Sequence, residues 1–165
     1  MPALCYAAAV DFDRLQALLA ALEREGVEYA IFGGIALNLH GLARFTEDID
    51  LFLAPDLDNI ERLKRALHSV FDDPSIEEIT AADLLGGYPA VQYAPPEGTF
   101  RVDILTKLGS AFSFGDLEVE RVRFGDLPVT VVTPRTLYRM KRDAVHLKDR
   151  ADAELLTRRF ALEDP

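Results

Sequence analysis

The order of helical and extended patterns along the chain constrains its fold more than any other feature. Leucines at helical spacing over 11–25 predict a helix, and the apolar run 29–32 then predicts a short buried strand. Further patterns follow in chain order: a helix at 35–40, a strand at 48–53, helices from 55 to about 71 and at 80–85, strands near 90–94 and 99–105, a hairpin over 121–124 and 128–132, and a helical region over about 134–160. This order predicts an α/β (α+β) fold, with helices packed on a mixed β-sheet.

The length and composition fit one globular domain. The 165 residues contain no repeat and no linker long enough to separate two domains. We therefore predict a single domain over 1–165, with a core over about 11–132 and a C-terminal helical segment over about 134–160. Apolar residues make up 49% and charged residues 28%, which excludes a disordered, collagen-like or disulfide-scaffold chain.

Targeting patterns and the cysteine count indicate where in the cell the protein is expected. No apolar run reaches the roughly 18 residues that a membrane span needs. Residues 1–10 lack the basic leading region of a secretion signal. The single cysteine, Cys5, cannot form an internal disulfide. We expect a reduced, cytoplasmic protein with no membrane partner.

The net charge of −10 argues against a protein that mainly coats nucleic acid. The charge is uneven, because residues 1–90 hold 16 acidic and 6 basic side chains, whereas residues 91–165 hold 12 of each. Such a division suits a site that handles both metal ions and phosphates. The basic residues near the C-terminus are equally compatible with a solvated helix.

Two aspartates share one face of a predicted strand. Residues two apart in a strand point the same way, so Asp48 and Asp50 lie on one face and Ile49 and Leu51 on the other. Two carboxylates this close repel each other, and a cation between them relieves the repulsion. Carboxylates, together with water and substrate phosphates, are ligands that Mg²⁺ prefers. The alternative is an ordinary pair of aspartates at a strand end.

Two glycines precede this pair by fourteen residues. Gly33 and Gly34 lie between a predicted strand and a predicted helix, where backbone N–H groups can approach a phosphate closely. The spacing is neither a Walker A loop nor a G-x-G-x-x-G motif. A tight strand-to-helix turn is the alternative interpretation.

A third carboxylate, Asp103, lies in another alternating strand. If this strand neighbours 48–53, Asp103 can join Asp48 and Asp50 in a two-metal arrangement for attack on phosphorus. The alternative is a salt bridge from Asp103 to Arg101 or Lys107.

These residues together resemble a known family. Phe32-Gly33-Gly34, Asp48-x-Asp50 and the later Asp103 resemble the DNA polymerase β-like nucleotidyltransferase superfamily. The run GGIALNLHGLARFTEDIDL at 33–51 is similar to its AbiEii-like branch, which includes toxins of toxin–antitoxin systems. The segments TPRTLYRMK at 133–141 and KDRAD at 148–152 are similar to the helical tail of that branch.

The resemblance implies transfer of a nucleoside monophosphate from a nucleoside triphosphate, such as ATP, to an acceptor hydroxyl. Asp48 and Asp50 would hold Mg²⁺ (or Mn²⁺), and Asp103 would complete the metal site and help to deprotonate the acceptor. The backbone at Gly33 and Gly34 would grip the β- and γ-phosphates. Oriented N–H groups and metal ions suit a reaction whose developing charge spreads over phosphoryl oxygens.

Three further residues are candidates for nucleotide binding. Arg44 and Thr46 lie between the glycines and the carboxylates, and Lys141 lies in the C-terminal helical segment. An exposed loop arginine and a solvated lysine are the alternatives for Arg44 and Lys141.

The sequence does not identify the acceptor, which could be tRNA, a protein or a small molecule. One alternative function is a toxin–antitoxin component that modifies tRNA or a partner protein, with a cognate antitoxin or toxin partner. Another is a non-catalytic module that binds a nucleoside triphosphate without turnover.

Overall fold

A computed structural model describes residues 12–43, 46–87, 89–108, 112–142 and 147–162. The α-helices in these ranges are α1 (Phe12–Arg24), α2 (Gly33–Leu39), α3 (Leu57–Phe71), α4 (Ala81–Leu85), α5 (Pro134–Arg142) and α6 (Leu147–Phe160). The β-strands are β1 (Tyr29–Phe32), β2 (Asp48–Leu53), β3 (Ala90–Tyr93), β4 (Arg101–Leu105), β5 (Lys107–Leu108), β6 (Phe112–Ser113), β7 (Val119–Phe124) and β8 (Leu127–Val132). Short 3₁₀ helices lie at Pro74–Glu78 and Phe114–Asp116.

Six strands form one mixed sheet in the order β3-β4-β2-β1-β8-β7. The pairs β2–β4 and β1–β8 are parallel, and the pairs β1–β2, β3–β4 and β7–β8 are antiparallel. A parallel pair needs a crossover connection, and the segment containing α3 and α4 supplies one between β2 and β4. Strands β5 and β6 form a separate two-stranded sheet. The predicted fold class, a mixed sheet with packed helices, is confirmed.

Local sequence signals set the two long helices that cover the core. In α1 the side chains of Leu15, Leu18 and Leu22 are fully buried, as their helical spacing predicts. Helix α3 begins at Leu57 because Asp56 caps it, its side chain accepting a hydrogen bond from the Asp58 N–H at 3.1 Å. Both helices thereby bury an apolar face in the same core.

Strand β2 separates the core face of the sheet from the polar face. Ile49, Leu51 and Leu53 are fully buried in the core together with the leucines of α1. Asp48 and Asp50 alternate with them and therefore point to the opposite face. One face of this strand stabilises the fold, and the other is available for polar chemistry.

The C-terminal helical segment consists of two helices. Helix α5 begins at Pro134, where the Thr133 hydroxyl accepts a hydrogen bond from the Thr136 N–H at 3.2 Å. Residues 143–146, between α5 and α6, lie outside the described residues. Among the helices of the described ranges, none combines the length and the apolar character that a membrane crossing requires.

Candidate active site

The parallel pair β2–β4 brings the three aspartates to one face of the sheet. Asp50 lies directly opposite Asp103, and Asp48 lies opposite Arg101. Opposite residues of neighbouring strands share a face, as do residues two apart in one strand. Asp48, Asp50 and Asp103 therefore lie together, although they come from distant parts of the chain.

Burial and mutual repulsion perturb two of these carboxyl groups. Burial, followed by the negative charges of Asp103 and Asp48, raises the pKa of Asp50 to about 7. Burial and then the charge of Asp103 raise the pKa of Asp48 as well, while Arg101 acts in the opposite direction. A protonated Asp50 would also donate a hydrogen bond to Asp103. A cation bound beside these carboxylates would relieve their mutual repulsion.

The described residues contain no group of three or more His, Cys, Asp or Glu side chains that could hold a metal ion. Asp48, Asp50 and Asp103 form a cluster on one face of the sheet that falls short of such a group. Such a cluster suits Mg²⁺, which commonly takes one or two protein carboxylates and completes its shell with water and phosphate oxygens.

The two glycines make room for side chains of the site. Gly33 has a φ of +71°, and a Cβ there would overlap the Asp50 carboxylate. At Gly34 a Cβ would lie 3.0 Å from the Thr46 side chain. The absence of both side chains therefore lets β2 pack closely against the start of α2. Phosphate contact and a tight strand-to-helix turn were the two predicted roles of these glycines, and neither included close packing against Asp50 and Thr46.

A cleft of about 240 Å³ opens beside Asp50. The lining residues are Phe32, Gly33, Asp50, Leu108, Leu137, Met140 and Lys141. Lys141 is thus in the same cleft as one predicted carboxylate and one predicted glycine. The apolar members of the lining were not among the predicted site residues, because nothing in a local pattern distinguishes them from core residues.

Lys141 is held by an aspartate of the next helix. Its Nζ donates a hydrogen bond to Asp152 Oδ2 at 3.1 Å, and both side chains are buried. The Lys141 charge also lowers the pKa of Asp50, opposing the effect of burial. The ion pair joins α5 to α6 and keeps a cation near the carboxylates.

Thr46 is engaged by the backbone at the start of β2. Its hydroxyl donates to the Asp48 carbonyl at 3.0 Å and accepts from the Asp48 N–H at 3.2 Å. These bonds fix Asp48 relative to Gly34, while nucleotide binding by Thr46 stays a prediction. Arg44, also predicted to bind nucleotide, lies outside the described residues.

The surroundings of Asp103 differ from the salt bridge considered above. Within the described part of the chain, no ion pair joins Asp103 to Arg101 or Lys107, whereas Gln92 Nε2 donates to Asp103 Oδ1 at 2.9 Å. This contact was not predicted from the sequence, because the residue pattern of β3 does not reveal which strand lies beside it.

The chain is similar to a solved structure and to a family model. A crystal structure of an antigenic nucleotidyltransferase-like protein from Paracoccidioides brasiliensis has a TM-score of 0.55 and 18% sequence identity to it, covering 90% of this chain and 76% of that one. This likeness shows a shared fold. No curated protein matches the sequence. The family model of the nucleotidyl transferase AbiEii toxin of type IV toxin–antitoxin systems matches residues 16–158. Because this match covers most of the chain, the protein belongs to the AbiEii nucleotidyltransferase toxin family.

Proposed function

We propose that the protein transfers a nucleoside monophosphate from a nucleoside triphosphate, such as ATP, to an acceptor hydroxyl. The observation that carries this proposal is the meeting of Asp48, Asp50 and Asp103 on one sheet face, beside a cleft that contains Gly33 and Lys141. Carboxylates and a buried cation in one cleft can bind a metal-complexed triphosphate, which is the substrate that a nucleotidyltransferase needs.

Asp48, Asp50 and Asp103 would hold Mg²⁺ or Mn²⁺. Their oxygens are the hard ligands that these ions prefer, and the negative charges of Asp103 and Asp48 contribute, after burial, to the raised pKa of Asp50. When bound, divalent ions supply charge neutralisation at the transferred phosphoryl group and at the leaving pyrophosphate.

The protein's own groups would divide the remaining work. Asp103 accepts the proton of the acceptor hydroxyl, directly or through water. The acceptor oxygen forms a bond to the α-phosphorus, the bond from that phosphorus to the bridging oxygen breaks, and pyrophosphate leaves. Lys141 and the backbone N–H groups of Gly33 and Gly34 bind the β- and γ-phosphates, with Arg44 and Thr46 as further nucleotide contacts.

Membership of a toxin family favours a macromolecular acceptor and an antitoxin partner. We propose that the physiological acceptor is tRNA or a partner protein and that a cognate antitoxin opposes the reaction. A small-molecule acceptor remains the second candidate. The required nucleoside triphosphates and tRNA are abundant in the cytoplasm, where we propose that the protein acts.

Label transfer tests the reaction directly. The protein is incubated with each α-labelled nucleoside triphosphate, with Mg²⁺ or Mn²⁺, and with tRNA, bulk protein, aminoglycosides or lincosamides as acceptor. We expect label on one acceptor class, released pyrophosphate and no transfer in EDTA.

Asp50→Asn serves as the inactive control, because it retains the size of the side chain and removes a charge that would anchor the metal. Transfer at the parental rate by this variant would contradict the proposed mechanism. Binding of a triphosphate with Mg²⁺ but no transfer to any acceptor would favour the non-catalytic binding module instead.

A further inference from the structure

The row of residues that contains Asp103 continues to the edge of the sheet. Asp103 lies opposite Asp50 on one side and opposite Gln92 of β3 on the other. Gln92 donates its Nε2–H to Asp103 Oδ1 at 2.9 Å. Asp103 therefore has a carboxylate on one side and a neutral amide donor on the other.

The side-chain amide of Gln92, unlike a cationic partner, can orient Asp103 without neutralising its charge. When both carboxylates are ionised, repulsion between Asp50 and Asp103 opposes the close approach that sharing one cation requires. A glutamine N–H can hold one carboxylate oxygen in place without neutralising its charge. The bond from Gln92 uses Oδ1 of Asp103 and leaves Oδ2 without a bond to this amide. The nearest cation on the same strand, Arg101, instead donates to the Phe100 carbonyl at 3.1 Å.

We propose that Gln92 is a positioning residue for the transfer reaction. It holds Asp103 in the orientation that lets this carboxylate share a divalent cation with Asp50 and accept the proton of the acceptor hydroxyl. The inference rests on the proposed function. Hydrogen-bond partners of metal-binding carboxylates commonly change metal affinity or activity by about 10- to 100-fold, and an exposed partner such as Gln92 belongs at the lower end of that range.

Two substitutions separate positioning from a structural role. Gln92→Met keeps the length of the side chain and removes the donor, whereas Gln92→Asn keeps an amide donor but disfavours a strand. We expect Gln92→Met to weaken Mn²⁺ binding, measured by EPR of the free ion without nucleotide, by about 10-fold. Its kcat should fall by a similar factor, with the KM for the triphosphate unchanged. Gln92→Asn should retain more Mn²⁺ affinity and activity than Gln92→Met, although it melts at the same temperature or lower.

Gln16→Met is the matched control, because Gln16 is the other glutamine of the chain and is exposed on α1. It should bind Mn²⁺ and transfer as the parent does. Parental Mn²⁺ affinity and kcat in Gln92→Met would overturn the inference and leave the proposed function standing. The inference would also be overturned if Mn²⁺ affinity and kcat fell in proportion to the melting temperature, with larger losses in Gln92→Asn than in Gln92→Met. A parent protein that neither binds Mn²⁺ nor transfers label would overturn the proposed function itself.

Discussion

Among the site carboxylates, Asp50 combines burial with repulsion from two neighbouring aspartates. It is half-buried, lies opposite Asp103 and has a pKa raised to about 7. The folded protein binds a proton at the Asp50 carboxylate more tightly than the unfolded chain does. The free energy of unfolding therefore falls as pH rises from about 4 to about 7. The metal-free protein is therefore less stable at neutral pH than it would be without this charge.

Asp50→Asn should remove that pH-dependent loss. We expect the metal-free variant to melt above the parent at pH 8, by roughly 2–4 °C for each kcal/mol of repulsion relieved, and close to the parent at pH 4. Melting temperatures measured from pH 4 to pH 9 in EDTA test this. A variant that melts several degrees below the parent at pH 8 would instead indicate that the Asp50 carboxylate satisfies donors in the fold.

Gly33→Ala tests the close approach of Asp50 to the backbone. Gly33 and Gly41 both have positive φ, +71° and +89°, but only a Cβ at Gly33 meets other atoms, those of Asp50. Gly41→Ala should therefore show only the backbone cost, about 1–2 kcal/mol. Gly33→Ala should lose roughly 1–3 kcal/mol more in urea unfolding and also lose transfer activity, because Asp50 must move. Equal losses in the two variants would contradict the contact with Asp50.

At the scale of elements, the ion pair between Lys141 and Asp152 joins α5 to α6 across the 143–146 connection. Both partners are buried, and removing one partner of a buried pair commonly costs about 3–5 kcal/mol. The same lysine reaches the cleft beside Asp50. Under the proposed function, the pair couples the packing of the C-terminal helices to the binding of phosphates.

A double-mutant cycle with Lys141→Met and Asp152→Leu measures this coupling. Each single variant should be destabilised by a few kcal/mol, and the double variant should be more stable than the sum of the two losses predicts, by at least about 1 kcal/mol. Additive losses in urea unfolding would show that the two side chains stabilise the helices independently. Lys141→Met should also raise the KM for the triphosphate.

Local sequence patterns predicted individual helices and strands better than they predicted which strands lie side by side in the sheet. Helical leucine spacing located α1, and alternation located β2 with Asp48 and Asp50 on its polar face. The same alternation identified Asp103 as a candidate. Its place in the site, however, required the assumption that its strand lies beside β2. The short strands β5 and β6 were not predicted, because two residues are too few to show a period.

Strand order is what the sequence could not supply. The parallel register that sets Asp50 opposite Asp103 depends on how α3 and α4 cross the sheet, which is a property of tertiary packing. Gln92 reaches Asp103 only because β3 returns antiparallel along β4. The pairing of Lys141 with Asp152 likewise depends on how α5 and α6 pack, although a basic partner for Asp152 agrees with the excess of basic residues in the segment.

At the scale of the whole molecule, the negative net charge bears on which ligands the proposed site can bind. The net charge is −10, and three aspartates crowd one face of the sheet. A free triphosphate is repelled by such a surface, whereas a triphosphate complexed with Mg²⁺ brings the charge that the cluster lacks. The stability of the molecule should therefore depend on the two ligands together.

Mg²⁺ and a nucleoside triphosphate should raise the melting temperature of the protein by mass action, because they bind the folded state. At a ligand concentration about 100-fold above the dissociation constant, the gain in the free energy of unfolding is roughly 2.7 kcal/mol. We expect most of this gain to disappear in EDTA, and Asp50→Asn to show little dependence on Mg²⁺. The measurement is a thermal melt with the triphosphate alone, Mg²⁺ alone and both. Equal stabilisation by the triphosphate with and without Mg²⁺ would mean that the cleft binds phosphates through Lys141 and the backbone, and the carboxylates would then have no role as metal ligands.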